Sequence, residues 1–385
     1  MRFHSLEGLR AWMAWWVVLG HAVFLVGLDK ISSKPLSIAS NLIQQTGVAV
    51  GVFIILSGFV IAHLLETKRE AYPAYIVRRF FRIYPIFLFC LMIAIAISPL
   101  YLDAYTAHEW VSGRPERIAR IADENEHFGT HLVLHLSMLH GIPPEEWLQF
   151  ASSSFLSPAW SLSLEWQFYL LAPAILMMFR RATPPMVLIM AAVFAAMSIG
   201  LRASDLNWHY DSFILLAMPL FVIGIASRMS LNEGLTRAQG MMLIAACALS
   251  AMAYARAVPG LWLIFPIWGF FYYLVRIEQG LSAAPSNKAF GILRWMGTNK
   301  VVSWMGAQSY STYLIHIPLF SIFVGGAGLM LGEAFTQAQA IIAVLLAIVA
   351  TIPVSAALYN WVELPFNKRG SAFARRLSGQ APVDA

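Results

Sequence analysis

Ten apolar runs of about 20 residues constrain this chain more than any other feature of its sequence. A run of that length crosses a bilayer as a helix, because lipid offers the backbone no hydrogen-bond partners. The sequence therefore predicts an all-α polytopic membrane protein with about ten transmembrane helices. The predicted spans are roughly 9–28, 43–65, 84–102, 158–179, 185–201, 212–228, 239–256, 258–275, 304–327 and 338–362.

Composition supports a membrane protein and argues against several other classes. Hydrophobic residues make up 59% of the 385 residues and charged residues 12%, whereas soluble domains have about 25% charged residues. Cys90 and Cys247 both lie in apolar runs and give neither a disulfide framework nor a metal motif. Membrane lipids explain the net charge of +6, so no nucleic-acid partner is expected.

The distribution of Lys and Arg predicts the topology. With the N-terminus inside, 18 of the 26 basic residues fall on the cytoplasmic side and seven on the other, and Arg10 lies within the first span. The positive-inside rule then places both termini in the cytoplasm. We interpret 1–366 as a single transmembrane domain and 367–385 as a short basic cytoplasmic tail.

The loop at 103–157 is predicted to lie outside the membrane, with an amphipathic segment in its second half. Three histidines occur there at four-residue steps: His127, His131 and His135. Such spacing could bind a metal on one helix face, but no carboxylate or Cys completes a known signature. We therefore expect no metal, and an interfacial helix with three leucines toward the lipid. These are Leu132, Leu136 and Leu139.

Several ionisable residues lie inside the predicted spans. Arg10 and His21 are eleven residues apart, about three helical turns, so they share one face of the first span. Counting rise along each helix puts His21, Glu165 and His316 at a similar depth, slightly outside the midplane. This convergence predicts a general-base site. The alternatives are a core histidine bonded to a carbonyl, a structural ion pair of Glu165, and a His316 that only bonds a neighbouring helix.

The predicted inner loop IVRRFFRIYP carries Arg78, Arg79 and Arg82 among aromatic residues. Guanidinium groups bind phosphate and aromatic rings stack on a base, so the loop favours an anion attached to a flat ring. Ordinary positive-inside anchoring is the alternative. Arg10 would join this group, and Glu363 is a candidate partner for one of the arginines.

Six motifs, in order along the chain, resemble the membrane-bound acyltransferase-3 family of bacterial envelope glycan O-acyltransferases. They are LEGLRAWMAWWVVLGHA, LSGFVI, RRFFRIYP, SPAWSLSLEWQFYLLAP, SYSTYLIHIPLF and WVELPF. The resemblance implies that His21 is the essential histidine with Arg10 as its partner, and that Arg79 and Arg82 hold acyl-CoA at the cytoplasmic face. It places Glu165 and His316 in a central cavity. Polar and aromatic residues of these motifs are assigned to the same substrate cavity: Ser57, Trp160, Ser163, Tyr310 and Tyr313.

The function expected from this resemblance is acyl transfer in the bacterial inner membrane. The donor would be acyl-CoA, acetyl-CoA by default, and the acceptor an envelope polysaccharide, lipopolysaccharide or lipid-linked sugar. His21 would act either as base or as an acyl relay, oriented by Glu165. Two alternatives are a proton-coupled secondary transporter and a catalytically silent glycan-binding or assembly protein of the same fold. The acyl group, the sugar and the oligomeric state stay open.

Overall fold

The computed structural model describes residues 3–28, 34–68 and 70–378, with the backbone alone at 34–36. Every regular element in these ranges is helical, so the all-α prediction is confirmed. The tail beyond residue 378 and three residues of the charge count, Arg2, Lys30 and Arg69, lie outside the described residues. The first part of the predicted tail continues a helix.

The first seven helices include three long ones and a cluster of short ones. Proline in the first turn starts α4, α5 and α6, where a missing N–H costs nothing. The bounds are α1 His4–Leu25, α2 Lys34–Ile43, α3 Thr46–Thr67, α4 Tyr72–Ala96, α5 Ser98–Thr106, α6 Arg114–Glu126 and α7 Phe128–Leu136.

The remaining eleven helices complete the bundle. Two single π-helical turns join α15 to α16 and α17 to α18: Ser321–Gly325 and Tyr359–Glu363. The helix bounds are α8 Trp160–Arg181, α9 Pro184–Arg202, α10 Ile214–Met229, α11 Arg237–Ala257, α12 Ile264–Glu278, α13 Lys288–Thr298, α14 Lys300–Ala307, α15 Ser309–Phe320, α16 Gly326–Leu331, α17 Gln337–Leu358 and α18 Leu364–Leu377.

In the described ranges, nine helical stretches are long and apolar enough to cross a membrane, and α10 adds a shorter apolar helix of 16 residues. The chain is thus a multi-pass membrane protein. One predicted span is wrong at both ends, because α4 begins at Tyr72 rather than 84 and ends at Ala96 rather than 102. Hydropathy placed the arginines of this segment in a loop, whereas they lie within α4 and line a polar space between helices.

The ends of α1 define two ends of the bundle. Near its start, the backbone N–H of Ser5 donates to Oε1 of Glu278 at 2.9 Å. Just after its end, the carbonyl of Val26 accepts from Nε2 of Gln337 at 2.7 Å. We call the first the arginine end, because the arginines of α4 lie there, and the second the loop end, because 97–159 lies there.

Close packing of α3 on α10 forms one wall of the interior. A Cβ atom on Gly58 would lie 2.6 Å from the carbonyl oxygen of Phe221, so only glycine permits this approach. Gly224 of α10 likewise meets the carbonyl of Ile55. Helix α3 runs unbroken through Ser57, Gly58 and Phe59, so this motif brings two backbones together rather than interrupting the helix.

The loop end is a packed layer that buries His131, His135 and His140, while His127 is half-exposed. Helix α7 is short, and His131 and His135 are fully buried while Val133 and Leu136 are exposed. His131 bonds Asp123 at 2.9 Å and Ser154 at 3.1 Å. Among the residues that the structure describes, no three His, Cys, Asp or Glu side chains form a group that could hold a metal ion.

Candidate active site

A narrow cavity of about 120 Å³ lies between α1, α3, α4, α8 and α15. Most of its wall is apolar, with side chains such as Phe53, Val60 and Leu162. Its polar residues comprise Arg10, Ser57, Arg79, Arg82, Ser161, Glu165, Tyr169, Ser309, Tyr310 and Tyr313. The predicted cavity residues Ser57, Tyr310 and Tyr313 are therefore brought together here with Glu165 and three of the predicted arginines.

A wider cavity of about 340 Å³ opens at the arginine end. Arg10, Arg79 and Arg82 line both cavities, so these three arginines stand where the two meet. Lys68 and Arg78 line only the wider one. Burial, with repulsion from Arg78, lowers the pKa of the Lys68 ammonium.

The arginines differ in whether an acid holds them. Arg78 donates to Glu70 from both Nε and Nη2, at 3.2 and 2.8 Å, and is therefore tied into a structural pair. Arg10 pairs with Glu7 at 3.1 Å, one turn earlier on α1. Arg82 approaches Glu363 at 3.7 Å, which is the partner suggested by the sequence.

Arg79 is the exception. No carboxylate in the described ranges pairs with it, and its Nε atom is buried without a hydrogen-bond partner. Its guanidinium lies 5.8 Å from the centroid of the Tyr169 ring. A buried guanidinium N–H without a partner is costly, so Arg79 is the group most in need of an anionic ligand.

Glu165 lies with the arginines rather than with the histidines. Its carboxylate accepts a short hydrogen bond from the Tyr169 hydroxyl and a weak one from Ser57 at 3.4 Å. Neither His21 nor His316 contacts it. The expected orientation of His21 by Glu165 is therefore absent, because equal depth does not specify which side of the bundle a side chain faces.

His21 and His316 contact each other directly. Nδ1 of His21 lies 2.8 Å from Nε2 of His316, and the two rings are stacked with centroids 5.1 Å apart. Nδ1 of His316 lies 3.3 Å from the carbonyl of Thr312, which can only accept. In neutral His316, Nδ1 therefore carries the proton, and Nε2 accepts a hydrogen bond from the Nδ1–H group of His21. The ring nitrogen of His21 left with a free lone pair is Nε2.

Tyr313 connects the cavity to the histidine pair. It lines the cavity, its hydroxyl lies 3.0 Å from that of Ser161, and its ring centroid lies 6.2 Å from that of His316. Neither His21 nor His316 lines the cavity itself, so the predicted position of His316 in the cavity is not observed, and the pair lies beside the ring of Tyr313.

Helix α8 presents one face to this cavity, and two predicted cavity residues lie elsewhere. Ser161 and Tyr169 share the face of Glu165 by four-residue spacing. Ser163 is two residues away on the helix and accepts from the backbone N–H of Gly141 at 2.9 Å, on another side. Trp160 stacks on Tyr210 at 5.0 Å and is not part of the lining. Ser161 and Tyr169 were missed, although their spacing from Glu165 predicts them.

Comparison with known proteins supplies the class of chemistry. The family model of the acyltransferase-3 type, described as Acyltransferase domain, matches residues 3–360. The chain belongs to the acyltransferase-3 family. A relative of this family, Acyltransferase MdmB from Streptomyces mycarofaciens, is 26% identical over 356 residues, which cover 86% of this chain and 82% of the relative. No solved structure matches the chain.

Membership of the acyltransferase-3 family makes this protein a membrane acyltransferase. The resemblance seen in the sequence motifs is confirmed over nearly the whole chain. The transporter alternative has no support from the family, since the matched proteins are transferases.

Proposed function

We propose that the protein transfers an acyl group, acetyl by default, from acyl-CoA to a hydroxyl of an extracytoplasmic envelope sugar. The observation that carries the proposal is a cavity lined by arginines at one end and by Tyr313 at the other, with a bonded histidine pair beside the ring of Tyr313. We call the cavity together with this pair the passage. A donor with anionic phosphates at one end and a reactive thioester at the other matches this polarity. The arginine end would face the cytoplasm, in line with the charge distribution along the chain.

The donor would enter from the arginine end. Arg79, with its buried and unpaired Nε, and Arg82 would bind the phosphates, and Arg10 would add positive charge. Arg78 stands outside this set because Glu70 already binds it. The apolar wall of the narrow cavity suits the flexible arm that carries the thioester.

The histidine pair would perform the proton transfer. Nε2 of His21 removes the proton of the acceptor hydroxyl, and the hydroxyl oxygen attacks the thioester carbonyl carbon. The carbon–sulfur bond then breaks, and the sulfur takes the proton back from His21 to leave as free CoA. His316 holds His21 in the tautomer that keeps Nε2 free, the role that a carboxylate has in a Ser-His-Asp triad.

An acyl relay would use the same atom. In that route Nε2 of His21 attacks the thioester carbonyl carbon, the carbon–sulfur bond breaks, and CoA leaves as the thiolate from an acyl-imidazolium. The acceptor hydroxyl then attacks the acyl carbon, the carbon–nitrogen bond breaks to restore His21, and the hydroxyl proton goes to the thiolate. Rapid quenching distinguishes the routes, because only the relay gives an acyl group on His21 that disappears when acceptor is added.

The test uses purified full-length protein in lipid nanodiscs with acetyl-CoA and an envelope glycan fraction. We expect CoA release and glycan O-acetylation, measured by mass spectrometry, and their loss in His21→Ala. His127→Gln is the matched control, since His127 is half-exposed at the loop end and bonds Asp123. Near wild-type transfer by folded His21→Ala would overturn the proposal. Saturable CoA binding without any transfer by the wild type would favour a catalytically silent binding protein. Proton flux in proteoliposomes would favour a transporter.

A further inference from the structure

Two arginines of α6 stack on two tyrosines of α5 at the loop end. Arg117 lies 4.3 Å from the ring centroid of Tyr105, and Arg120 lies 5.1 Å from that of Tyr101. The arginines are one turn apart on α6 and the tyrosines one turn apart on α5, so the two contacts repeat along the same helix pair.

Only Arg117 reaches the proposed reaction centre. Its guanidinium also lies 5.1 Å from the ring centroid of Phe24, which is one turn after His21 on the same face of α1. Of the two arginines, Arg117 is the one that contacts α1 among the described residues, through this ring. Arg117 therefore stands at the loop end of the passage, opposite the end where the donor phosphates would bind.

The hydrogen-bonding groups around Arg117 are unsatisfied. In the described part of the chain its Nη1 atom is buried without a hydrogen-bond partner, and so is the hydroxyl of Tyr105. The nearest carboxylate on its own helix, Glu116, bonds His209 at 3.3 Å. Burial lowers the pKa of the Arg117 guanidinium, and the nearby charge of Glu116 opposes this shift only in part. Two neighbouring donors without acceptors indicate an anion that is bound there during turnover.

Flat aromatic surfaces flank this position. The rings of Tyr105 and Phe24 lie against the guanidinium of Arg117, and Tyr210 stacks on Trp160 with the two rings nearly parallel, 4° apart. An aromatic face beside a cationic fork suits a ring that presents both C–H groups and an oxyanion, as an acidic sugar does.

We propose that Arg117 binds an oxyanion on the acceptor, a carboxylate or a phosphate attached to the sugar, and thereby directs the acceptor hydroxyl to His21. The inference rests on the proposed function and adds the chemical class of the acceptor. Arg117 is a substrate-binding residue in this scheme, and Tyr105 supplies the second donor.

The test compares three small acceptors with acetyl-CoA as donor, using the full-length protein in nanodiscs. Methyl glucoside is neutral, methyl glucuronide carries a carboxylate, and glucose 1-phosphate carries a phosphate. We expect the wild type to have a kcat/KM at least about 10-fold higher for one of the anionic acceptors than for the neutral one, as one charge-assisted hydrogen bond supplies. The preferred anion identifies the class of acceptor: a preference for the carboxylate indicates an acidic glycan, and a preference for the phosphate indicates a phosphate-linked sugar.

Variants separate recognition from packing. Arg117→Gln should reduce the anionic preference to within about 2-fold of unity, and Arg117→Lys should keep part of it, because lysine retains the charge but not the fork. Arg120→Gln is the matched control, since it removes the neighbouring arginine–tyrosine stack and should leave the preference intact. A wild-type preference near unity, or an equal loss on all three acceptors in Arg117→Gln, would overturn the inference.

Calorimetric titration covers the case in which none of the three probes is acetylated. Saturable binding of methyl glucuronide or glucose 1-phosphate that Arg117→Gln abolishes supports the inference. If neither compound binds at about 10 mM, well above typical substrate affinities, the inference is rejected. This conclusion requires that the same protein still binds acetyl-CoA, which shows that its donor site is intact. Failure to bind acetyl-CoA would instead contradict the proposed function.

Discussion

Arg82 and Glu363 form an ion pair in which the two partners are unequally exposed. The carboxylate is 1% exposed and the guanidinium 38%, and the oxygens of Glu363 are held by Arg82 at 3.7 Å and by Ser311 at 3.1 Å. Glu363 lies on the π-helical turn Tyr359–Glu363, which joins α17 to α18. A fixed carboxylate thus holds one side of a guanidinium whose other side remains free to bind an incoming anion.

Replacing Glu363 with Gln should weaken donor binding more than it affects chemistry. Glutamine can still accept from Ser311, so the fold is retained, but it no longer attracts Arg82 into position. We expect the KM for acetyl-CoA to rise about 10-fold, equivalent to one charge-assisted bond, with kcat within about 3-fold of wild type. A large loss of kcat at unchanged KM would assign Glu363 to the reaction itself.

Arg79 and Arg78 offer adjacent residues with opposite predicted behaviour. Arg79→Met should raise the KM for acetyl-CoA by about 10-fold or more, because it removes the arginine that lacks an acidic partner. Arg78→Met should mainly lower thermal stability, since it leaves Glu70 without its bidentate partner. Steady-state kinetics and a melting curve on both variants check this, and the reverse pattern would contradict the assignment of the phosphate site.

His316→Ala should lower kcat while leaving donor binding in place. Without the acceptor at Nε2 of His316, His21 is free to rotate and to adopt either tautomer. Loss of a general-base arrangement costs about 10²- to 10⁴-fold in rate. The KM for acetyl-CoA should stay near wild type, since the arginines are untouched. If kcat is unaffected, His21 does not depend on its partner.

Gly58→Ala should destabilise the bundle rather than alter chemistry directly. The added methyl group would lie 2.6 Å from the carbonyl oxygen of Phe221, so α3 and α10 must move apart. We expect a loss of about 1–3 kcal/mol and a lower melting temperature in detergent. Gly260→Ala is the control, because a Cβ atom there meets nothing within 4 Å. Equal melting temperatures would show that the two helices are not tightly packed at Gly58.

The loop end should lose stability in acid. His140 stacks on His135 with ring centroids 4.0 Å apart, and its Nε2 donates to the carbonyl of Ala159, just before α8. Burial lowers the pKa of His140 from 6.5 to about 4. Burial, with repulsion from His140, also lowers the pKa of His135 well below the ordinary value of 6.5. The unfolded state therefore binds more protons, and stability falls as pH drops from about 6.5 toward 4.

For His140 alone the loss reaches about 3 kcal/mol at pH 4. Melting curves between pH 7.5 and pH 4.5 should show this decline, and His140→Gln should reduce its slope. His127→Gln, which changes a half-exposed histidine of the same segment, should leave the slope unaltered. A melting temperature independent of pH over this range would mean that water reaches the stacked rings.

Helical rise and direction predicted that His21 and His316 lie at a similar depth, and the structure brings the two rings into contact. His21 and His316 belong to different helices 295 residues apart, yet their calculated depths agreed and their rings are bonded. The same reasoning was insufficient for Glu165, because depth gives one coordinate and the side a residue faces depends on helix packing. Glu165 faces Tyr169 and Ser57, and no local pattern in the sequence reports which neighbouring helix it meets.

The charged residues of α4 are the reason why the start of this helix was predicted wrongly. A window that averages hydropathy begins the span only after Arg82, since a charged residue in lipid is expensive. In the structure these arginines face a polar space that several helices build together, and the helix extends from Tyr72. The existence of that space depends on Glu7, Glu363 and the end of α14, which are remote in sequence, so a local rule could not have placed the helix start.

Because Arg10 and His21 lie on one continuous helix, the distance between the proposed phosphate site and the proposed reaction centre is set by α1. Inserting one residue between them would lengthen this distance by about 1.5 Å but turn His21 about 100° away from His316. Separation and direction therefore cannot vary independently on α1. Selection for longer or shorter acyl groups must therefore act on the other helices that line the passage. Helices α3 and α8 contribute side chains to its wall, and neither carries both Arg10 and His21.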